Sequence, residues 1–166
     1  QAQLSDFIQG DIIHYCRKWE KAPQDNPAPL IIGPVGCGKS HLLWALYFDL
    51  NESGFVEQTE IKTSTELIYK IKNGIATNTS DDILDYYKTI GILLLDDLGA
   101  TRVTDWASEQ FYLIMDKRWQ YNLPTAITSN YPLDKLVEVL GDRVISRISG
   151  MTKRFTMTGK DRRMQP

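Results

Sequence analysis

Apolar residues recur along this chain with two different periods, and the two alternate. Leu4, Phe7, Ile8, Ile12, Tyr15 and Trp19 are spaced by three and four, which predicts an amphipathic helix from Leu4 to Glu20. Lys21 to Pro29 holds three of the seven prolines and reads as a loop into a first strand, Leu30-Ile31-Ile32. Lys39 to Glu52 is helical, with Ser53-Gly54 as its stop. Its Leu42, Leu43, Trp44, Leu46, Tyr47, Phe48 and Leu50 lie nearly all round, so the pattern predicts a largely buried helix. A strand follows at Thr59 to Thr63, then a helix from Thr65 to Lys72, a polar surface loop from Asn73 to Ser80 and a short helix from Asp81 to Tyr87.

Ile92-Leu93-Leu94-Leu95 is apolar without alternation, the signature of a strand covered on both faces. Asp105 to Tyr121 is a helix with Phe111, Ile114, Met115 and Arg118 on one face. Thr125 to Thr128 is a strand, helices span Leu133 to Leu140 and about Asp142 to Ser149, and Arg154 to Thr158 is a last strand. Strands alternating with helices predict a three-layer α/β/α domain with a mainly parallel, five-stranded sheet. Residues 1–27 read as a linker helix with its proline-rich loop, and residues 28–166 as the domain proper.

The 166 residues are 42% hydrophobic and 24% charged, which suits one globular domain. A formal charge of −2 excludes a global basic field, so any nucleic-acid contact must come from local patches. Two cysteines and two histidines suggest neither a disulfide framework nor a zinc site, and a reducing cytoplasm is the expected compartment. No apolar run approaches the roughly 20 residues needed to cross a bilayer, and no signal peptide is recognisable, so no membrane partner is expected. The chain begins at Gln1 rather than Met, which points to a preceding segment.

Directly after the first strand, Gly33-Pro34-Val35-Gly36-Cys37-Gly38-Lys39-Ser40 fits the phosphate-loop pattern G-x-x-x-x-G-K-[ST] at every fixed position. The glycines let successive N–H groups turn inward to phosphate oxygens, Lys39 supplies a point charge for the β- and γ-phosphates, and the Ser40 hydroxyl suits Mg²⁺. The helix that starts at Lys39, Ser40 and His41 adds its positive end. Cys37 reads as a small tolerated side chain rather than a nucleophile. A nucleoside triphosphate or diphosphate, ATP or ADP among them, with Mg²⁺ is the implied cofactor set.

A second strand must bring a carboxylate to the metal, and Asp96 ends the run 92–95. Asp97 is the candidate to orient the attacking water, with the short side chain pointing to modest turnover. An acidic pair that merely opens a turn before Gly99 is the alternative. Asn130 follows the strand 125–128, where its amide reaches the same crevice or serves as a turn residue. Arg143 and Arg147 share one helix face; they are solvated, or one is an arginine finger. The run Gly159-Lys160-Asp161-Arg162-Arg163 is a basic tail or returns an arginine to the nucleotide.

Taken together, GPVGCGKS, ILLLDDLGA with Thr104-Asp105-Trp106, Leu123 to Asn130, the box Gly141-Asp142-Arg143 to Ser146-Arg147-Ile148 and the closing GKDRR resemble the AAA+ ATPase domain of replicative helicase loaders of the DnaC/DnaI type. The resemblance runs from about Pro29 to Met164. It implies Lys39 and Ser40 as phosphate and Mg²⁺ contacts and Asp96 as the Walker B ligand. It makes Asp97 the catalytic acid position, Asn130 sensor 1, Arg147 before Arg143 the finger acting on a neighbouring subunit, and Arg162 before Arg163 sensor 2. It further implies little or no helical lid, an ATP site between self-associated subunits, single-stranded DNA in their central channel, and a replicative helicase engaged through a region that precedes this domain. Lys62, Lys70 and Lys72 with Tyr69 offer a basic and aromatic mix for such DNA, or are a solvated helix face. A transposase-helper ATPase of the IstB type shares the core motifs. A small-molecule kinase and a nucleotide-binding interaction module are the other readings.

Overall fold

Short apolar runs build a sheet here, because each is long enough for a strand and too short for a helix. In the computed structural model, which describes residues 10–100 and 103–159, β1 (Ala28–Ile32), β3 (Ile92–Asp96) and β4 (Thr125–Ser129) are buried at every position. β2 (Thr59–Thr63) and β5 (Thr152–Thr156) are the sheet edges and carry the more polar sequences. All four pairings are parallel, in the order β2-β3-β4-β1-β5.

Successive strand residues point to opposite faces, and the helices sort accordingly. One face takes Ile31, Leu94 and Ala126 and is covered by α1 (Gly10–Lys21) and α2 (Lys39–Leu50). The other takes Leu30, Ile32, Leu93, Leu95 and Ile127. It is covered by α3 (Ser64–Ala76), α4 (Ser80–Thr89), α5 (Asp105–Gln120), α6 (Leu133–Leu140) and α7 (Asp142–Met151). This is the expected three-layer α/β/α fold with a five-stranded parallel sheet.

α5 buries the predicted stripe of Phe111, Ile114, Met115 and Arg118. Arg118 is fully buried, and desolvation lowers its pKa to about 9, which still leaves it charged at neutral pH. Its guanidinium donates to the carbonyls of Tyr87, Ile90, Gly91 and Pro124 and, through Nε, to Thr125 Oγ1 at 2.7 Å. One side chain thus ties the end of α4 and the starts of β3 and β4 together.

Three expectations change. The stretch Asn73 to Ser80 is not a loop: α3 continues to Ala76 and α4 begins at Ser80. Gly74 is the reason, since a Cβ there would meet the Ser80 backbone at 2.9 Å and Ile83 at 2.8 Å, so it is a helix-packing position and not a breaker. α2 is not buried all round: Trp44 is 44% exposed and meets Tyr47 edge to face and Phe48 at a tilt. β5 starts two residues earlier than predicted, because backbone pairing from Ala28↔Thr152 to Ile32↔Thr156 sets its register while its side chains are those of an edge. The described part of α1 buries Ile12, Ile13, Cys16 and Trp19, while Tyr15 bonds the Pro27 carbonyl; Leu4, Phe7 and Ile8 lie outside the described residues. Gly54, at φ 94°, is the break after α2.

Candidate nucleotide site

The site begins where β1 ends. Gly33 N–H donates to the Ser129 carbonyl of β4 at 3.2 Å, and a Cβ on Gly33 would strike the Met157 carbonyl oxygen. Gly36 and Gly38 turn the chain at φ 77° and 104°, where a side chain would be strained. α2 then starts at Lys39 with no side-chain cap on its N-terminal N–H groups, which point back along the loop as an anion cradle. Lys39 is 5% exposed; its Nζ donates to the Pro34 carbonyl at 2.7 Å and lies 3.8 Å from Cys37 Sγ. Cys37 is buried, whereas Pro34, Ser40 and His41 are exposed.

Strand order does the rest. β4 lies between β1 and β3, so its C-terminal end separates the phosphate loop from the acidic pair. Asp96 ends β3, is buried, and its Oδ1 accepts from Ser40 Oγ at 3.1 Å and, in a short bond, from Thr128 Oγ1. Thr128 Oγ1 in turn accepts from the Asp97 N–H at 2.9 Å. One β4 hydroxyl therefore clamps both carboxylate residues, using its single proton and a lone pair.

Asp97 sits at φ 57°, a left-handed conformation that Asp tolerates better than most residues. Its carbonyl accepts from Ser64 Oγ at the start of α3 at 2.8 Å, and its Oδ1 accepts from Asn130 Nδ2 at 2.6 Å. The segment beyond is held to β4 by Leu98 N–H on the Thr128 carbonyl and Ser129 Oγ on the Leu98 carbonyl. The result is a continuous set of hydrogen bonds, Ser40–Asp96–Thr128–Asp97–Asn130, across the ends of three adjacent strands.

The sequence-predicted residues Lys39, Ser40, Asp96, Asp97 and Asn130 come together. Arg143 and Arg147 do not join them. They stand on α7 and contact α5: Arg143 lies 4.0 Å from the Tyr112 ring, and Arg147 Nε donates to Asp116 Oδ1 at 2.6 Å over the Trp119 ring. The bond to Asp116 raises the Arg147 pKa above its ordinary value. Arg162 and Arg163 lie outside the described residues. Lys62 pairs with Glu60, Lys70 lies over Tyr86 and Tyr87, and Tyr69 is 64% exposed. Thr128 and Ser64 were missed by sequence reasoning. Thr128 precedes Asn130 by two and so shares its strand face, a signal that carries meaning only once β4 is known to neighbour β3.

Comparison with known proteins agrees with this geometry. Residues 8–153 match the family of the bacterial DnaA ATPase domain. The chain is 27% identical over 146 residues to the replicative helicase loader DnaI of Bacillus subtilis, which covers 80% of this chain and 46% of that protein. It thus spans less than half the length of this curated relative. A crystal structure of the DnaC helicase loader superposes with a TM-score of 0.84 at 24% identity, covering 95% of this chain and 97% of that one. The replication initiator DnaA bound to AMPPCP and single-stranded DNA superposes with a TM-score of 0.83 at 21% identity, over 96% of this chain and 50% of that one. At such identities these two structures speak for the fold. Phosphate loop, acidic strand end, polar β4 terminus and a family match over most of the chain lead to one conclusion: the chain belongs to the bacterial DnaA ATPase domain family.

Proposed function

We propose that this chain is the ATP-hydrolysing AAA+ domain of a replicative helicase loader, acting in DNA replication as a self-associated assembly on single-stranded DNA. The observation that carries the reading is the bonded set Ser40–Asp96–Thr128–Asp97–Asn130 beside the phosphate loop. Gly33, Pro34, Gly36, Cys37 and Gly38 form the cradle, and Lys39 and the first N–H groups of α2 bind and orient the triphosphate. Ser40 Oγ and Asp96 Oδ1, 3.1 Å apart, are the hard oxygen donors that suit Mg²⁺. When bound there, the ion neutralises charge on the phosphate oxygens.

Asp97, steered by Asn130, orients the attacking water and takes its proton. A carboxylate this short reaches the water less well than a longer one would, so turnover is slow and depends on assembly or DNA. Arg147, with Arg143 as second candidate, faces a neighbouring subunit's nucleotide, and self-association completes the site. The loader and initiator relatives support DNA and helicase as partners of the whole protein.

The test is ATP hydrolysis by the purified chain with and without single-stranded DNA. The reading predicts release of phosphate, an increase with DNA, and loss of both in Lys39→Ala. Transfer of the γ-phosphate to ADP or AMP would overturn it in favour of a kinase. Retention of a transposase in place of a replicative helicase by the full-length protein would reassign it to transposition.

A further inference from the structure

Arg147 does not stand loose on α7. Its Nε is bonded to Asp116 Oδ1, and its guanidinium carbon lies 4.6 Å from the centre of the Trp119 ring. The second oxygen of Asp116 accepts from Gln120 Nε2 at 2.7 Å, one turn further along α5. Tyr112, one turn earlier, takes the neighbouring Arg143 over its ring at 4.0 Å. Gly150 on α7 makes room for the indole: a Cβ there would lie 2.9 Å from Trp119 Nε1. Residues 112, 116, 119 and 120 fall on one face of α5, and that face meets α7.

A surface arginine normally samples many rotamers and must give them up on meeting a phosphate. A guanidinium is rigid and planar, so a bond at Nε together with a ring beneath it fixes both its position and its plane. We propose that Asp116, supported by Gln120 and Trp119, is the positioning residue that presents Arg147 to the nucleotide of the neighbouring subunit. This rests on the reading of Arg147 as the finger. The ion pair is then a preorganising hold on a group that acts elsewhere, and losing it lowers turnover without touching the subunit's own nucleotide cradle.

The experiment uses ATP hydrolysis at saturating protein, with ADP binding and thermal unfolding measured on the same samples. Asp116→Ala is expected to lower kcat about 10- to 100-fold, the scale of a misplaced catalytic group, with KM for ATP and ADP affinity unchanged. Asp116→Glu is expected to recover part of the loss. Mixing Asp116→Ala with Lys39→Ala restores turnover, because the Lys39→Ala subunits offer a well-held Arg147 to intact cradles. Mixing Arg147→Ala with the double variant Lys39→Ala/Asp116→Ala does not.

Wild-type kcat in Asp116→Ala while Arg147→Ala is inactive would overturn the positioning role and leave the finger standing. So would failure of Lys39→Ala to restore Asp116→Ala. Wild-type turnover in Arg147→Ala at every protein concentration would overturn the finger reading itself. Should Asp116→Ala fail to fold, Asp116→Leu, which keeps bulk at this position and removes both acceptor oxygens, is read by the same criteria.

Discussion

Asp97 is held at several points at once: its backbone is left-handed, its N–H and carbonyl are both held by hydroxyls, and its carboxylate is held by Asn130. Asn tolerates the same backbone and keeps an acceptor oxygen. Asp97→Asn is therefore expected to leave folding and nucleotide affinity intact while hydrolysis falls about 10²-fold or more, the usual contribution of a general base. Phosphate release and ADP titration check this together. Thr128→Val removes both the proton given to Asp96 and the oxygen that accepts Asp97 N–H, and is expected to destabilise by about 1–3 kcal/mol for the buried groups left unpaired. Thr128→Ser should be nearly silent, as denaturant unfolding would show. Lys39, Ser40, Asp96, Asp97 and Asn130 were legible in the sequence as candidates because each ends a strand or follows one at a short spacing. Thr128, Ser64 and Asp116 were not, because their roles depend on which strands and helices become neighbours.

Among the elements, α5 and α1 carry separate stability arguments. Arg118 on α5 donates to four carbonyls, and Arg118→Leu removes these bonds, although the Pro124 carbonyl keeps another donor, the Leu93 N–H. A loss of about 3 kcal/mol or more follows, which for a domain of this size lowers Tm by roughly 6–12 °C. On α1, burial raises the Glu20 pKa to about 7, helped by the charge of Asp49 and a hydrogen bond with it, against the opposing pull of Lys21 and Arg17. The folded state thus holds this proton more tightly than the unfolded chain does. The associated stability is full below about pH 4.5 and is lost as pH rises through 7. After discounting for solvent screening the effect is about 1 kcal/mol. Glu20→Gln is expected to flatten the decline in Tm between pH 5 and 8, a result thermal scans across that range would establish. Element boundaries show where reading by composition fails. Asn73 to Ser80 looks like a loop because most of its residues are polar, yet Gly74 is needed for α3 to meet α4. The early start of β5 is set by backbone pairing to β1, to which side-chain pattern is blind.

At the scale of the whole molecule, the sheet order carries the functional logic. β4 between β1 and β3 draws loop, acid and amide to one edge, while α7 and α5 hold Arg147 in a separate contact. On the proposed reading, in which Arg147 serves the nucleotide of a second copy, activity per subunit should rise with protein concentration. The most direct measurement is ATP hydrolysis by an equal mixture of Lys39→Ala and Arg147→Ala chains, compared with each alone. The account predicts that each variant alone is inactive and that the mixture recovers activity, because intact cradles then meet intact arginines across subunit contacts. A mixture no more active than its parts, or full activity of Arg147→Ala alone at all concentrations, would contradict it.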